Sequence, residues 1–249
     1  MRILYAGDGL AGGAAAYLLG ILRSLRADVT HVPPSSTLGQ RHFRRVHDAI
    51  ILSDQPRVRV PSVAQRAIAH QVASGTGLLM IGGWASFAGP RGGWRGSLIE
   101  TLLPVTCDRR DDRLTFPGGA LVVPLHPHAM FRAISFQHPP MICGLNAVRP
   151  KPQSLVLLGA RPVISHGSAS SRTPRVSLSP TTHPVLVIDP HPRTRIAALT
   201  TDIAPHWCGG LIDWGSRRLV LPVTASIRIE VGDRYVRLVA SLLRWLTRV

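Results

Sequence analysis

The chain has 249 residues, 45% of them hydrophobic, enough apolar material for one large core, and a formal net charge of +16. Its basic residues are dispersed from Arg2 to Arg248 around a single lysine, Lys151, and the densest groups, Arg41, Arg44 and Arg45 and Arg57 and Arg59, carry no interleaved aromatics, so nucleic-acid binding is not expected. Cys107, Cys143 and Cys208 are odd in number and far apart, which excludes a disulfide framework, matches no zinc pattern and fits a reducing cytoplasm; no apolar run is long enough to span a bilayer.

Arg2 to Ala6 reads as a strand, and the turn Gly7-Asp8-Gly9 leads into a helix over Ala14 to Leu25 whose Leu18, Leu22 and Leu25 share a face. Met1-Arg2 followed by Ile3 to Ala6 imitates the start of a signal peptide, but Asp8 and the nearby glycines interrupt the apolar run, so strand and turn are expected. Further strands follow at Asp28 to Val32, at His47 to Leu52 with Asp54 just past its end, and at Gly77 to Ile81. Val63 to Ala73 reads as a helix closed by Ser74-Gly75. This alternation predicts an α/β fold of parallel strands with helices on both faces.

Beyond Gly93, proline and glycine become dense and the apolar runs shorten, as in Leu121 to Val123, Met141 to Cys143 and Leu155 to Leu158, which predicts an insertion of short strands. Ser165 to Thr182 has no periodicity and reads as a loop. Order returns with strands at Val185 to Ile188 and Ile196 to Thr200. The closing helix spans Asp233 to Thr247, with Tyr235, Leu238, Val239, Leu242 and Leu246 on its apolar face.

Four segments carry the candidate chemistry. Gly7-x-Gly9-x-x-Gly12 has the strand-turn-helix setting of a dinucleotide fingerprint, but Val32 is followed by Pro33-Pro34 where an acid should hold the ribose, and Asp8 would sit near a pyrophosphate. A glycine-rich βα turn is the expectation, with no cofactor. Gly82-Gly83-Trp84-Ala85-Ser86-Phe87 closes a buried strand, where glycines permit the strained turn of a nucleophile elbow. It holds no cysteine. Ser86 offers a hydroxyl that would need a base, while Trp84 offers a flat wall and an indole donor, so a binding-pocket floor or a relic of the elbow is the expectation. Gly89 to Gly96, which includes Trp94, reads equally as a lid or as a tight connector to a helix over Ser97 to Leu103.

Thr200 to Gly210 packs Asp202, His206, Trp207 and Cys208 into one loop beyond a strand end. His206 reads as a general base that Asp202 orients, or as a structural histidine; His206 and Cys208 alone are too few ligands for a metal. His126-Pro127-His128 and Asp189-Pro190-His191 read as surface loops, and Cys107 and Cys143 as small buried hydrophobes.

Arg2 to Tyr5, His47 to Asp54, Gly77 to Phe87 and Ala198 to Trp207 together resemble a glutamine amidotransferase-like family of bacteria, related to trehalose-utilisation-type domains within the class I glutamine amidotransferase-like superfamily. The resemblance implies a flavodoxin-like three-layer sandwich with a mostly parallel central sheet, an inserted antiparallel β lobe at about 105–182, and often a homo-oligomer. It sets the superfamily's cysteine elbow at or beside Trp84 and its C-terminal histidine near His206, with Cys208 where an acidic partner is expected. The resulting expectation is a cytoplasmic scaffold without glutaminase activity that binds a small polar metabolite or acts as a subunit. Its site would use His206, Ser86 and Asp202, with Asp8, Gly82, Gly83, Trp84, Phe87, Trp94 and Trp207 forming the binding surface. Two alternatives remain open: a hydrolase using Ser86 and His206 on a carbohydrate-like ligand, and a basic module for nucleic acid or a protein partner.

Overall fold

A computed structural model describes residues 1–166 and 175–249. The elements in chain order are β1 (Arg2–Gly7), α1 (Ala15–Ser24), β2 (Asp28–Val32), β3 (Ala49–Ser53), α2 (Ser62–Ala73), β4 (Gly77–Ile81), α3 (Leu98–Leu102), β5 (Val105–Thr106), β6 (Arg113–Pro124) and β7 (Met141–Asn146). Then come β8 (Arg149–Pro150), β9 (Leu155–His166), β10 (Arg175–Leu178), β11 (His183–Ile188), β12 (Ile196–Leu199), α4 (Pro205–Cys208), β13 (Arg218–Pro222), β14 (Arg228–Gly232) and α5 (Asp233–Thr247).

Among the described residues, ten strands form one sheet in the order β2-β1-β3-β4-β12-β11-β9-β6-β7, with β10 paired to β9. The strands from β2 to β12 are parallel. From β12 to β7 each neighbour is antiparallel. The α/β class is therefore as expected, and the antiparallel strands continue the parallel half as one mixed sheet.

Side chains of a strand alternate between faces, and this alternation divides the core in two. Ile3, Tyr5, Ile51 and Leu79 pack under Leu18, Ile21 and Leu22 of α1 and Leu238, Leu242 and Leu246 of α5. Leu4, Ala6, Ile50, Leu52, Leu78 and Met80 pack on the opposite face under Ala64 and Ile68 of α2 and Ile99 of α3. Both faces are dry, which is why these strands are apolar throughout; each fully buried Leu or Ile contributes roughly 1.5–3 kcal/mol relative to exposure. Gly77 begins β4 because a β-carbon there would lie 2.5 Å from the Leu246 carbonyl oxygen of α5.

One local expectation is corrected, and one hairpin is added. The 167–174 part of the aperiodic stretch Ser165 to Thr182 lies outside the described residues, but Ser165 and His166 end β9 and Arg175 to Leu178 is β10, paired antiparallel to Val163 through His166. Short polar–apolar alternation, Arg-Val-Ser-Leu, was enough to pair there. The β13–β14 hairpin was unforeseen; it lies against α1, where a β-carbon on Gly20 would come within 3.0 Å of Ile229. Among the described residues no helix is long and apolar enough to cross a membrane.

Candidate binding site at the carboxyl edge of the sheet

Parallel pairing aims the ends of β1, β3, β4 and β12 at one edge, so Asp8, Asp54, the Gly82–Phe87 turn and the Thr200–Trp207 segment gather there. The antiparallel half curls back onto this edge. The Asn146 N–H donates to the Thr200 carbonyl (2.9 Å) and the Thr201 hydroxyl to the Gly144 carbonyl (2.8 Å), joining β7 to the end of β12.

The turn after β4 is held by its polar atoms. Gly82 presses on the Thr200 carbonyl, where any β-carbon would collide. The buried Asn146 side chain accepts from the Gly83 N–H (2.9 Å) and donates to the Gly83 carbonyl (3.3 Å) and to Asp112 (2.7 Å), whose other oxygen accepts from the Ala88 N–H (2.9 Å). Asp54 accepts from the Ala85 N–H (2.5 Å). The Ser86 hydroxyl, 1% exposed, donates to the Ile81 carbonyl (2.5 Å) and accepts from the Asp54 N–H (3.1 Å). Phe87 is fully buried at φ +46°, a left-handed conformation that packing must hold in place. The Gly89–Gly96 segment is tied down as a connector: Trp94 is fully buried, and its indole N–H is shared between the Gln55 (3.0 Å) and Ala85 (3.3 Å) carbonyls.

Trp84, by contrast, is 46% exposed and faces a cavity of about 390 Å³ lined by Trp84, Asp111, Arg113, Thr115, Cys143, His206 and Trp207. The Arg113 guanidinium lies over the Trp84 ring, 4.2 Å from its centroid, and is gripped by both oxygens of Asp111 at 2.7–3.1 Å. The His206 ring stands 6.1 Å from the Trp84 ring. Trp207 rests on Gly144, where a β-carbon would come within 2.8 Å of the indole. Two flat rings with a polar rim thus define a half-open pocket.

The expected residues divide into wall and support. Trp84, His206 and Trp207 meet in the cavity, whereas Gly82, Gly83, Ser86, Phe87 and Trp94 build the turn that presents Trp84. Ser86 forms no hydrogen bond with His206, because its hydroxyl is committed to the backbone around it. Asp202 does not orient His206; its Oδ1 accepts from the Ile203 (2.6 Å) and Ala204 (3.0 Å) N–H groups and starts the turn into α4.

Beneath this edge lies a carboxyl cluster. Asp8 accepts from the Tyr5 hydroxyl (2.5 Å), and burial holds its carboxyl above the ordinary range. Asp202 is raised by burial and then by the charge of Asp8, and Asp54 by burial. Among the described residues no group of His, Cys, Asp or Glu has the geometry to hold a metal ion.

Asp111, Arg113, Thr115 and Cys143 escaped the sequence reading. Arg113-Leu114-Thr115-Phe116 is a polar–apolar alternation that marks a wall strand, but β6 and β7 are brought to the cavity only by the curl of the sheet. Cys143, expected as a buried hydrophobe, is half-buried and lines the cavity with His206, with no hydrogen bond between them. Cys107 and Cys208 are buried, and burial pushes both thiols up.

A mixed sheet whose parallel half lies between two helical layers is the class I glutamine amidotransferase-like α/β architecture. The family described as "Putative glutamine amidotransferase" matches residues 12–223, and the chain belongs to that family. The cytoplasmic protein STM1381 of Salmonella typhimurium LT2 is 25% identical, with 84% of this chain and 91% of that one covered and a TM-score of 0.65. The cytoplasmic protein STM3548 of Salmonella typhimurium is 20% identical over 98% of both chains, with a TM-score of 0.71. A ThuA-like protein of Bacteroides uniformis is 11% identical, covering 99% of this chain and 91% of its own, with a TM-score of 0.54. No curated protein matches the chain.

Proposed function

We propose that this chain is a family member without glutaminase activity, whose carboxyl-edge cavity binds a small polar metabolite. The observation that carries this reading is the side chain borne by the turn after β4: an indole faces the cavity there, where the superfamily's chemistry requires a thiolate. The one hydroxyl of that turn is buried and doubly hydrogen-bonded, which also disfavours a hydrolase built on Ser86 and His206. Trp84 supplies the exposed stacking face, the buried Trp207 contributes to the wall, and Arg113, Asp111, Thr115 and His206 supply donors and acceptors. Because Asp111 neutralises Arg113, the pocket suits a neutral polyhydroxylated ring better than an anion. The free cysteines and the cytoplasmic designation of the two Salmonella proteins support a cytoplasmic setting, and a homo-oligomer is the expected assembly, to be read by sedimentation equilibrium.

The test is ammonia release from glutamine by the purified protein. No release above buffer is expected, together with a rise in melting temperature in the presence of a polyol or monosaccharide that binds the native state. Glutamine-dependent ammonia release abolished by Cys143→Ala or His206→Ala would overturn the reading and make the Cys143–His206 wall a working amidase.

A further inference from the structure

At the opposite edge of the sheet, the amino ends of β1 and β2 and the segment before β3 enclose a second cavity of about 410 Å³, lined by Arg2, Asp28, Thr30, Arg41, His42, Arg44, Arg45 and His47. Four arginines and a single carboxylate residue line it, and Arg41, Arg44 and Arg45 are exposed. Only Arg2 approaches that carboxylate, at 3.7 Å from Asp28, and it also donates to the Val46 carbonyl. Arg41 has a long contact with His42 (3.4 Å), and among the described residues neither Arg44 nor Arg45 forms a salt bridge. The cavity's walls are anchored from behind. The His47 N–H donates to Gln71 (3.1 Å) on α2, and the Gln71 side chain in turn donates to the Arg45 carbonyl (3.0 Å), fixing the backbone that carries the arginines.

Gathering like charges in one concavity is unfavourable unless an anion joins them, and guanidinium groups match the geometry of phosphate oxygens. We infer that this basic cavity is a binding site for a small phosphorylated metabolite, separate from the carboxyl-edge pocket. Its volume suits a ligand of mononucleotide or sugar-phosphate size. A nucleic-acid strand is the less fitting occupant, because the only rings lining the cavity are the imidazoles of His42 and His47, with no Phe, Tyr or Trp on which bases would stack.

Calorimetric titration of the full chain with inorganic pyrophosphate at physiological ionic strength tests this directly. A Kd below about 1 mM is expected. The double variant Arg44→Gln, Arg45→Gln should raise that Kd about tenfold or more, the cost of losing charge-assisted hydrogen bonds. Arg57→Gln with Arg91→Gln, on a different surface, removes the same charge and should leave it unchanged. No binding at millimolar pyrophosphate overturns the proposal, and so does equal weakening by both pairs. So too would a short oligonucleotide that binds more tightly than pyrophosphate and dissociates steeply with salt. Matching melting temperatures for the two double variants guard against misfolding as the cause.

Discussion

Two tryptophans a few positions apart serve opposite ends. Trp84 is half exposed over the cavity and Trp94 is sealed beneath the turn. Trp94→Ala is expected to cost about 3–5 kcal/mol in urea unfolding, from lost burial and the cavity left behind. Trp84→Ala should shift stability by only about 0.5 kcal/mol, while weakening any stacked ligand about tenfold in a fluorescence titration, through lost ring contact. Ser86→Ala belongs with the first kind. It strips the Ile81 carbonyl and the Asp54 N–H of their partner, so a loss of about 1–3 kcal/mol is expected. An unchanged stability would show that water replaces the hydroxyl and would reopen Ser86 as a reactive group.

Among the elements, the bracket formed by Asn146 and Asp112 connects β7 and the start of β6 to the turn after β4. Asn146→Ala leaves the Gly83 N–H and carbonyl and the Asp112 carboxylate underserved in a buried place, with an expected cost of about 2 kcal/mol or more. Hydrogen exchange should then quicken at Gly83 to Ala88 before it quickens in β1 or β3. How far the sequence disclosed these elements follows from where their information lies. β1 to β4 and α5 were legible because each is a run with its own period, and Asp28–Val32, Gly77–Ile81 and Asp233–Thr247 match residue for residue. The β13–β14 hairpin was not, because its arginines and Pro222 mask a strand that rests on one glycine of α1. The cavity's second wall was hidden for a different reason: Arg113, Thr115 and Cys143 become neighbours of Trp84 only when the antiparallel half bends over the edge, a long-range event that local pattern does not encode.

For the molecule as a whole, the raised carboxyl groups of Asp8, Asp54, Asp112 and Asp202 make stability fall as pH rises, while the imidazoles of His42, His47, His128 and His183, lowered by burial, act in the opposite sense up to the ordinary histidine range. A carboxyl raised on folding binds protons more tightly in the native state. Its contribution is complete below the ordinary carboxylate range and is lost as pH rises through the raised value. The carboxyl contribution to the melting temperature is therefore expected to decline from about pH 4, where the unfolded carboxyls ionise, to about pH 8, where Asp202 does. Asp202→Asn keeps the acceptor for the Ile203 and Ala204 N–H groups and removes the charge, so it should flatten that decline and stabilise the alkaline end. A variant that melts earlier at every pH, including where the native carboxyl is protonated, would assign Asp202 a structural role that does not depend on its charge.

The corner after β4 keeps its shape through backbone atoms, Asn146, Asp54 and Ser86, and none of those bonds passes through the ring of Trp84. The side chain at that spot is consequently a replaceable fitting in a fixed socket. A substitution there is expected to alter what the cavity presents to a visitor without redrawing the surrounding architecture.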